Sequence, residues 1–225
     1  MDHESEYNID GSLLGLGPDI LLDLMSEMKL PQDIQQILVS FQITPIFIIK
    51  ESYQGKQVEN KFIHSDEDQL CTITIDPIIS EGIVRIEIIL ENTGGIGYSM
   101  GIADTSCSFT VRKAPLQEEN REKIVSYSCF GNLDHITRGP KNQRYYVGQK
   151  VGIEVDMTTV PRKVTFFVDD VEQPNYVIGI PSEIRFWAYI YFGRSSFTVT
   201  KFERLIKSSA KGVEGSKVLE WGKTW

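Results

Sequence analysis

The sequence holds only three cysteines, Cys71, Cys107 and Cys129, and none shares a CxxC spacing. An odd, scattered set argues against a disulfide framework. Each sits in apolar, strand-like surroundings, where a free thiol behaves as a small buried hydrophobe. The histidines His3, His64 and His135 are equally dispersed, so metal binding through Cys and His has no starting motif. Lys and Arg concentrate nowhere, and the formal net charge is −8. Nucleic-acid binding draws on a basic face that displaces phosphate counterions, so that class is set aside. No apolar run approaches the ~18 residues of a membrane helix; "PIFII" and "IIL" are short. The start, "MDHESEYNIDG", is acidic where a secretory leader is basic, so a cytoplasmic or nuclear chain without membrane contact is expected.

What is present is the composition of an ordinary soluble protein, 41% hydrophobic and 24% charged over 225 residues. Residues 1–12 read as a solvated acidic tail. Residues 13–42 read as a pair of helices. Pro18 stands at a first helical position, where its missing N–H costs nothing, and Ile20, Leu21, Leu24, Met25 and Met28 follow at helical spacing. Pro31 opens a second helix with Ile34, Ile37, Leu38 and Phe41 as its stripe.

From Ile43 the period drops from 3.6 to 2. Segments such as "LCTITID", "IVRIEIIL", "CSFTVR", "QKVGIEVDM", "KVTFFV" and "IRFWAYIYF" alternate, with turn residues such as "ENTGG" and "GNLDH" between several of them. In "IVRIEIIL", Val84, Ile86, Ile88 and Leu90 share one side and Arg85 and Glu87 the other. About ten such strands without interleaved helices predict a mainly β fold, a two-sheet antiparallel sandwich over 43–206. Residues 207–225 turn to a Gly/Ser/Lys linker ending in Trp221 and Trp225. Two readings stand for this tail: an extension that docks back on the body, or a short motif that offers indoles to a partner.

The ordered set of segments resembles a SPRY domain, a concanavalin-like β-sandwich. The likeness runs through "EGIVRIEIIL" and "IGYSMGIAD" and is densest in "YYVGQKVGIEVDM", "KVTFFVDD", "IPSEIRFWAYIYF" and "SSFTVTKF", covering 82–205. Val84 and Arg85 replace the aromatic pair usual in the family, and Asp170 replaces a turn glycine. The helical pair is similar to the start of an F-box, with Pro18, Asp19, Ile20, Leu21, Leu24, Met25, Asp33 and Ile34 in matching slots. The third F-box helix is missing, and a helical cap on the sandwich is the other reading.

The resemblance implies a non-enzymatic module that takes a protein or peptide partner on loops at one end, with no cofactor or metal. Those loops map to Glu91–Gly95, the region after Asp104, and Phe192–Ser195, which makes Asn92, Thr93, Asp104, Tyr191, Phe192 and Arg194 the candidate contacts. The F-box likeness implies docking of a Skp-type adaptor through Pro18, Ile20, Leu21, Leu24, Met25 and Met28, and hence a substrate-recognition role in a ubiquitin ligase.

Two carboxylate groupings invite chemistry. Glu154 and Asp156 share a strand face in "GIEVDMTT", where sandwich-fold glycosidases carry Glu-x-Asp-x-x-Glu. The third position here is Thr159, and retaining hydrolysis needs two carboxyls about 5–5.5 Å apart, one of them kept protonated. Without that partner Glu154 and Asp156 read as structural, and a carbohydrate-binding or glycan-hydrolysing sandwich that uses them is kept as the alternative function. Asp169 and Asp170, at the end of "FFVDDVEQP", instead fit a tight turn that tolerates positive φ. Trp187, Tyr189 and Tyr191 share one strand face, either as packing or as a ligand platform.

Overall fold

A computed structural model describes residues 40–95 and 97–225, except for the side chains of residues 40, 41 and 118. The predicted helical pair up to residue 39, with Pro18, Ile20, Leu21, Leu24, Met25 and Met28, lies outside the described residues.

The described chain is a sandwich of two sheets. The larger has ten strands, ordered β17 (Lys217–Glu220), β14 (Asn175–Ile178), β12 (Lys163–Val168), β11 (Lys150–Asp156), β6 (Ile83–Glu91), β16 (Ser196–Leu205), β4 (Lys61–His64) and β3 (Gly55–Val58). Short strands β1 (Ser40–Gln42) and β13 (Val171–Glu172) pair with β16 and β12. The smaller has seven, ordered β10 (Arg138–Lys141), β9 (Asn132–Asp134), β8 (Ile124–Ser128), β7 (Ser99–Asp104), β15 (Ile184–Ile190), β5 (Cys71–Ile79) and β2 (Ile46–Ile48). Every pairing is antiparallel except β14 with β17.

Period-2 alternation decides which side chains meet. Val84, Ile86, Ile88 and Leu90 of β6, with Val151, Ile153 and Val155 of β11, face the interior from the larger sheet. Ile73 and Ile75, Met100 and Ile102, and Phe186, Ala188 and Ile190 answer from the smaller. Each fully buried aliphatic contributes about 1.5–3 kcal/mol, so this shared interior is the main source of stability. A second, smaller apolar cluster of Ala103, Phe109, Ile124 and Trp187 lies on the outer side of the seven-stranded sheet.

The structure corrects two element readings. Phe41, read as part of a helix, lies in β1, where Ser40–Gln42 pairs with Leu205–Glu203; an open sheet edge outweighs three residues of helical spacing. The alternating "CSFTVR" is not a strand. It belongs to the long connection after β7, and its Phe109 packs on Trp187 with ring centroids 5.5 Å apart.

Candidate functional site

Strand register decides which loops meet. Glu91 lies opposite Ser196, Ile63 is also opposite Ser196, and Ser99 faces both Tyr189 and Ser128. Lys150 faces Ile89, and Val168 faces Val151. The loops 65–70, 92–95 with 97–98, 129–131, 142–149 and 191–195 therefore leave the same end of the sandwich, together with the 169–170 turn.

Five of the six candidate contacts belong to this end. Asn92 is exposed at φ 56°, and Thr93 is buried. Tyr191 and Phe192 form an edge-on pair at 5.1 Å. The Phe192 ring lies so close to Gly94 that a Cβ there would approach it to 2.9 Å, so this ring braces the chain at 92–95. Arg194 takes φ 62° and holds Asp66 Oδ1 at 3.1 Å through Nε. Both side chains are 78% exposed, so the pair orients the loop more than it stabilises the fold.

Asp104 is the exception. It lies opposite Ile184, the first residue of β15, while Tyr191, Phe192 and Arg194 follow that strand's last residue. At about 3.3 Å per residue the two ends are roughly 20 Å apart. Asp104 Oδ1 accepts a turn hydrogen bond from Ser106 N at 2.8 Å. The chain after Asp104 then passes Trp187 on the outer side of the seven-stranded sheet and reaches the loop end at Arg112. There Arg112 donates to Gln69 Oε1 at 3.1 Å and lies 4.6 Å from the Tyr53 ring centroid.

Around Arg112 the structure assembles residues that spacing alone does not flag. Glu67, Asp68, Gln69, Leu70, Arg112 and Tyr191 line an open depression of about 430 Å³. Asp68 accepts the Gly193 amide at 2.7 Å. A Cβ on Gly193 would collide with Asp66 O at 2.3 Å, so only glycine lets these loops touch. Across the same end, Phe130, Tyr146 and Val147 are exposed large apolar side chains, with Arg144 5.4 Å from the Phe130 ring centroid. The signal for them is "RYYVG", where the alternation breaks: Tyr145 is buried and the next two residues turn outward.

The carboxylates at the edge of this end and on the outer face of β11 are all occupied as acceptors. Asp169 and Asp170 take φ 48° and 65°, the tight turn expected. Asp169 Oδ1 accepts from Lys150 N at 3.0 Å. Asp170 receives Lys150 Nζ at 2.6 Å and Arg85 Nη2 at 2.9 Å. The Lys150 hydrogen bond holds the Asp170 carboxyl below the usual carboxylate range and raises Lys150 in turn. Arg85 is buried against the Phe167 ring at 4.2 Å and also pairs with Glu87 at 2.9 Å. Gly152 makes room for it, since a Cβ there would meet Arg85 Nη2 at 3.2 Å.

Glu154 lies opposite Arg85 and Thr165. It accepts Ser208 Oγ at 2.6 Å, Ser209 N at 3.1 Å and the Ser209 hydroxyl. Asp156 accepts Thr158 N at 3.0 Å, Thr158 Oγ1 at 2.6 Å and Thr159 N at 3.3 Å, closing the turn after β11. Glu154 anchors a strap and Asp156 caps a turn, which leaves the pair without the free acid and base that glycan hydrolysis uses. Trp187 and Tyr189 pack in the outer apolar cluster, and Tyr191 alone of that trio reaches the loop end.

Thiol chemistry is suppressed at two of the cysteines. Burial pushes Cys71 up to about 12 and Cys107 up to about 11, so both stay protonated. His135 spends both ring nitrogens on the backbone, Nδ1 donating to Ile124 O at 2.6 Å and Nε2 accepting from Gly222 N at 2.9 Å. Among the described residues no three His, Cys, Asp or Glu side chains converge as metal ligands.

Comparison with known proteins shows a likeness of fold. No family model matches the sequence, and no curated protein matches it. Among solved structures, the chain is similar to the SPRY domain of human HERC1, at 13% identity and a TM-score of 0.50, covering 71% of this chain and 93% of that one. It is also similar to the TRIM65 PSpry domain, at 10% identity and a TM-score of 0.51, covering 70% and 92%. The architecture is a SPRY-like β-sandwich.

Proposed function

We propose that this SPRY-like sandwich is a protein-recognition module that binds a peptide or folded protein through the loop end defined above. The observation that carries the proposal is the exposure of Phe130, Tyr146 and Val147 on loops at this one end, with Arg144 over the Phe130 ring. Aromatic and arginine side chains of this kind dominate binding energy at protein interfaces. The depression at Arg112 and Tyr191 extends the surface on the other flank and adds acidic character through Glu67 and Asp68. Peptides selected on the intact protein test the proposal by titration. Tyr146→Ala or Phe130→Ala should weaken them tenfold or more, and Val160→Ala, in the opposite-end turn, should not. Peptides indifferent to both loop-end changes would overturn it.

The finer reading makes the chain a substrate receptor of a ubiquitin ligase, with 13–42 docking a Skp-type adaptor. It rests on the F-box likeness of that segment. Pull-down of such an adaptor by the full chain, abolished by Leu24→Asp, is the expected result. No capture by the folded wild-type chain rejects this version and leaves the loop-end proposal standing.

A further inference from the structure

The last nine residues, 217–225, are held in the manner of a bound peptide. Strand β17 adds to the edge of the larger sheet beside β14, the one parallel pairing among the described strands, with Leu219 opposite Val177. Edge addition of this kind is a recurring mode of peptide capture: main-chain bonds give affinity and alternate side chains give selectivity. Leu219 enters the core, while Val218 faces solvent. Beyond β17, Trp221 and Trp225 flank the buried His135 ring at 4.7 and 5.2 Å. Gly222 N donates to His135 Nε2, and Trp225 is gripped twice by Thr137, whose Oγ1 accepts its N at 2.8 Å and donates to its O at 2.9 Å. Gly139 leaves the space the Trp225 ring fills, since a Cβ there would meet that ring at 2.8 Å.

The receiving groups His135, Thr137 and Gly139 and strand β14 all belong to residues 135–178. The tail is joined to the segment that precedes it by a short turn, in which Ser216 N bonds Val213 O at 3.2 Å and Gly215 takes φ 73°. Upstream of that turn the chain is clamped, with Lys211 N and Gly212 N on Glu172 and both Ser208 and Ser209 on Glu154. The groove and its occupant are thus separate surfaces joined by one short turn.

We infer that this groove is an interaction surface for the same segment of a second copy of this chain. Straightening the 213–216 turn lets two molecules exchange residues 217–225 reciprocally. The only occupant whose fit is on view is this sequence itself, so a second copy satisfies every contact named above without new chemistry. Closed and exchanged forms share those contacts and differ in the turn and in concentration. A short tether keeps its own tail at an effective concentration on the order of millimolar, so the dilute wild-type protein is a closed monomer. Shortening the turn removes the closed form and leaves exchange as the way to fill the groove.

The test deletes Gly215 and Ser216 from the full-length chain and follows mass by light scattering against concentration. A dimer is expected, with hydrogen-exchange protection of 217–220 equal to that of the wild type. A folded monomer with those amides unprotected overturns the inference. If the deletion variant fails to fold, wild-type chain is warmed gently with a fluorescent peptide of residues 213–225. Saturable incorporation is then expected, at least tenfold weaker for the same peptide carrying Trp221→Ala and Trp225→Ala. No incorporation, or equal incorporation of both peptides, overturns the inference.

Discussion

Asp170 shows how much a side chain's meaning depends on residues remote in sequence. Its neighbours in "FFVDDVE" point to a turn, and the turn is there, but the partners Arg85 and Lys150 come from two other strands. Replacing it with glycine relieves a positive φ worth about 1 kcal/mol. The same change loses two ion pairs on a carboxylate that is 62% exposed, worth roughly 0.5–1 kcal/mol together after solvent screening. Asp170→Gly is therefore expected to move stability by less than about 1 kcal/mol. Asp170→Asn keeps a residue that tolerates positive φ and loses only charge, so it should destabilise by about 0.5–1 kcal/mol. Urea melts of both variants check the pair.

His135 carries a prediction of opposite sign to the usual histidine. Burial lowers its pKa below the ordinary 6.5, so the folded state binds its proton less readily than the unfolded chain. Its contribution is complete above about pH 6.5 and is lost as pH falls below that value toward the folded pKa. Protonation at Nε2 would also set an N–H against the Gly222 N–H. Thermal melts between pH 5 and 8 should show stability falling below about pH 6.5, and the part due to this ring should vanish in His135→Asn.

At the scale of elements, alternation made the central strands legible. Strands β6, β11, β12 and β15 each place a continuous apolar row inward, and those rows meet in one core. What stayed hidden depends on pairing. "GKQV" and "KFIH" are short and mixed in polarity, and they become β3 and β4 through the register Val58 to Lys61. "KVLE" becomes β17 only because β14 offers an open parallel edge. "CSFTVR" alternates equally well yet packs as a loop on Trp187. Strand periodicity reports half-burial, and a loop lying on a sheet produces the same pattern.

The linker before β17 reads from composition as a Gly/Ser/Lys spacer, but Glu154 and Glu172 make it a strap. Glu154→Ala removes the acceptor of both serines. A loss of about 1.5–3 kcal/mol is expected, the range for hydrogen bonds to a charged group. Amide exchange across 206–212 should accelerate well beyond that of β11 itself. Retained protection of that segment would assign its anchorage to other contacts.

For the whole molecule, the order of segments was enough to indicate a SPRY-like sandwich, because that likeness is carried by strands in sequence. The candidate site was legible only in part. Asn92, Thr93, Tyr191, Phe192 and Arg194 fell at one end, while Asp104 fell at the other, since a sequence does not say which end of a strand faces which. Arg112, Tyr146 and Phe130 come into view only once the long loop and the 142–149 turn are placed.

We propose that this one end of the sandwich is the binding surface. Backbone amide shifts of the isotope-labelled full chain, recorded during titration with a selected peptide, test it most directly. Perturbations are expected to concentrate in 66–70, 92–95, 130–131, 144–148 and 191–195, with 79–82 and 157–162 unmoved. Perturbations centred on 79–82 and 157–162 instead, at the opposite end, would contradict it.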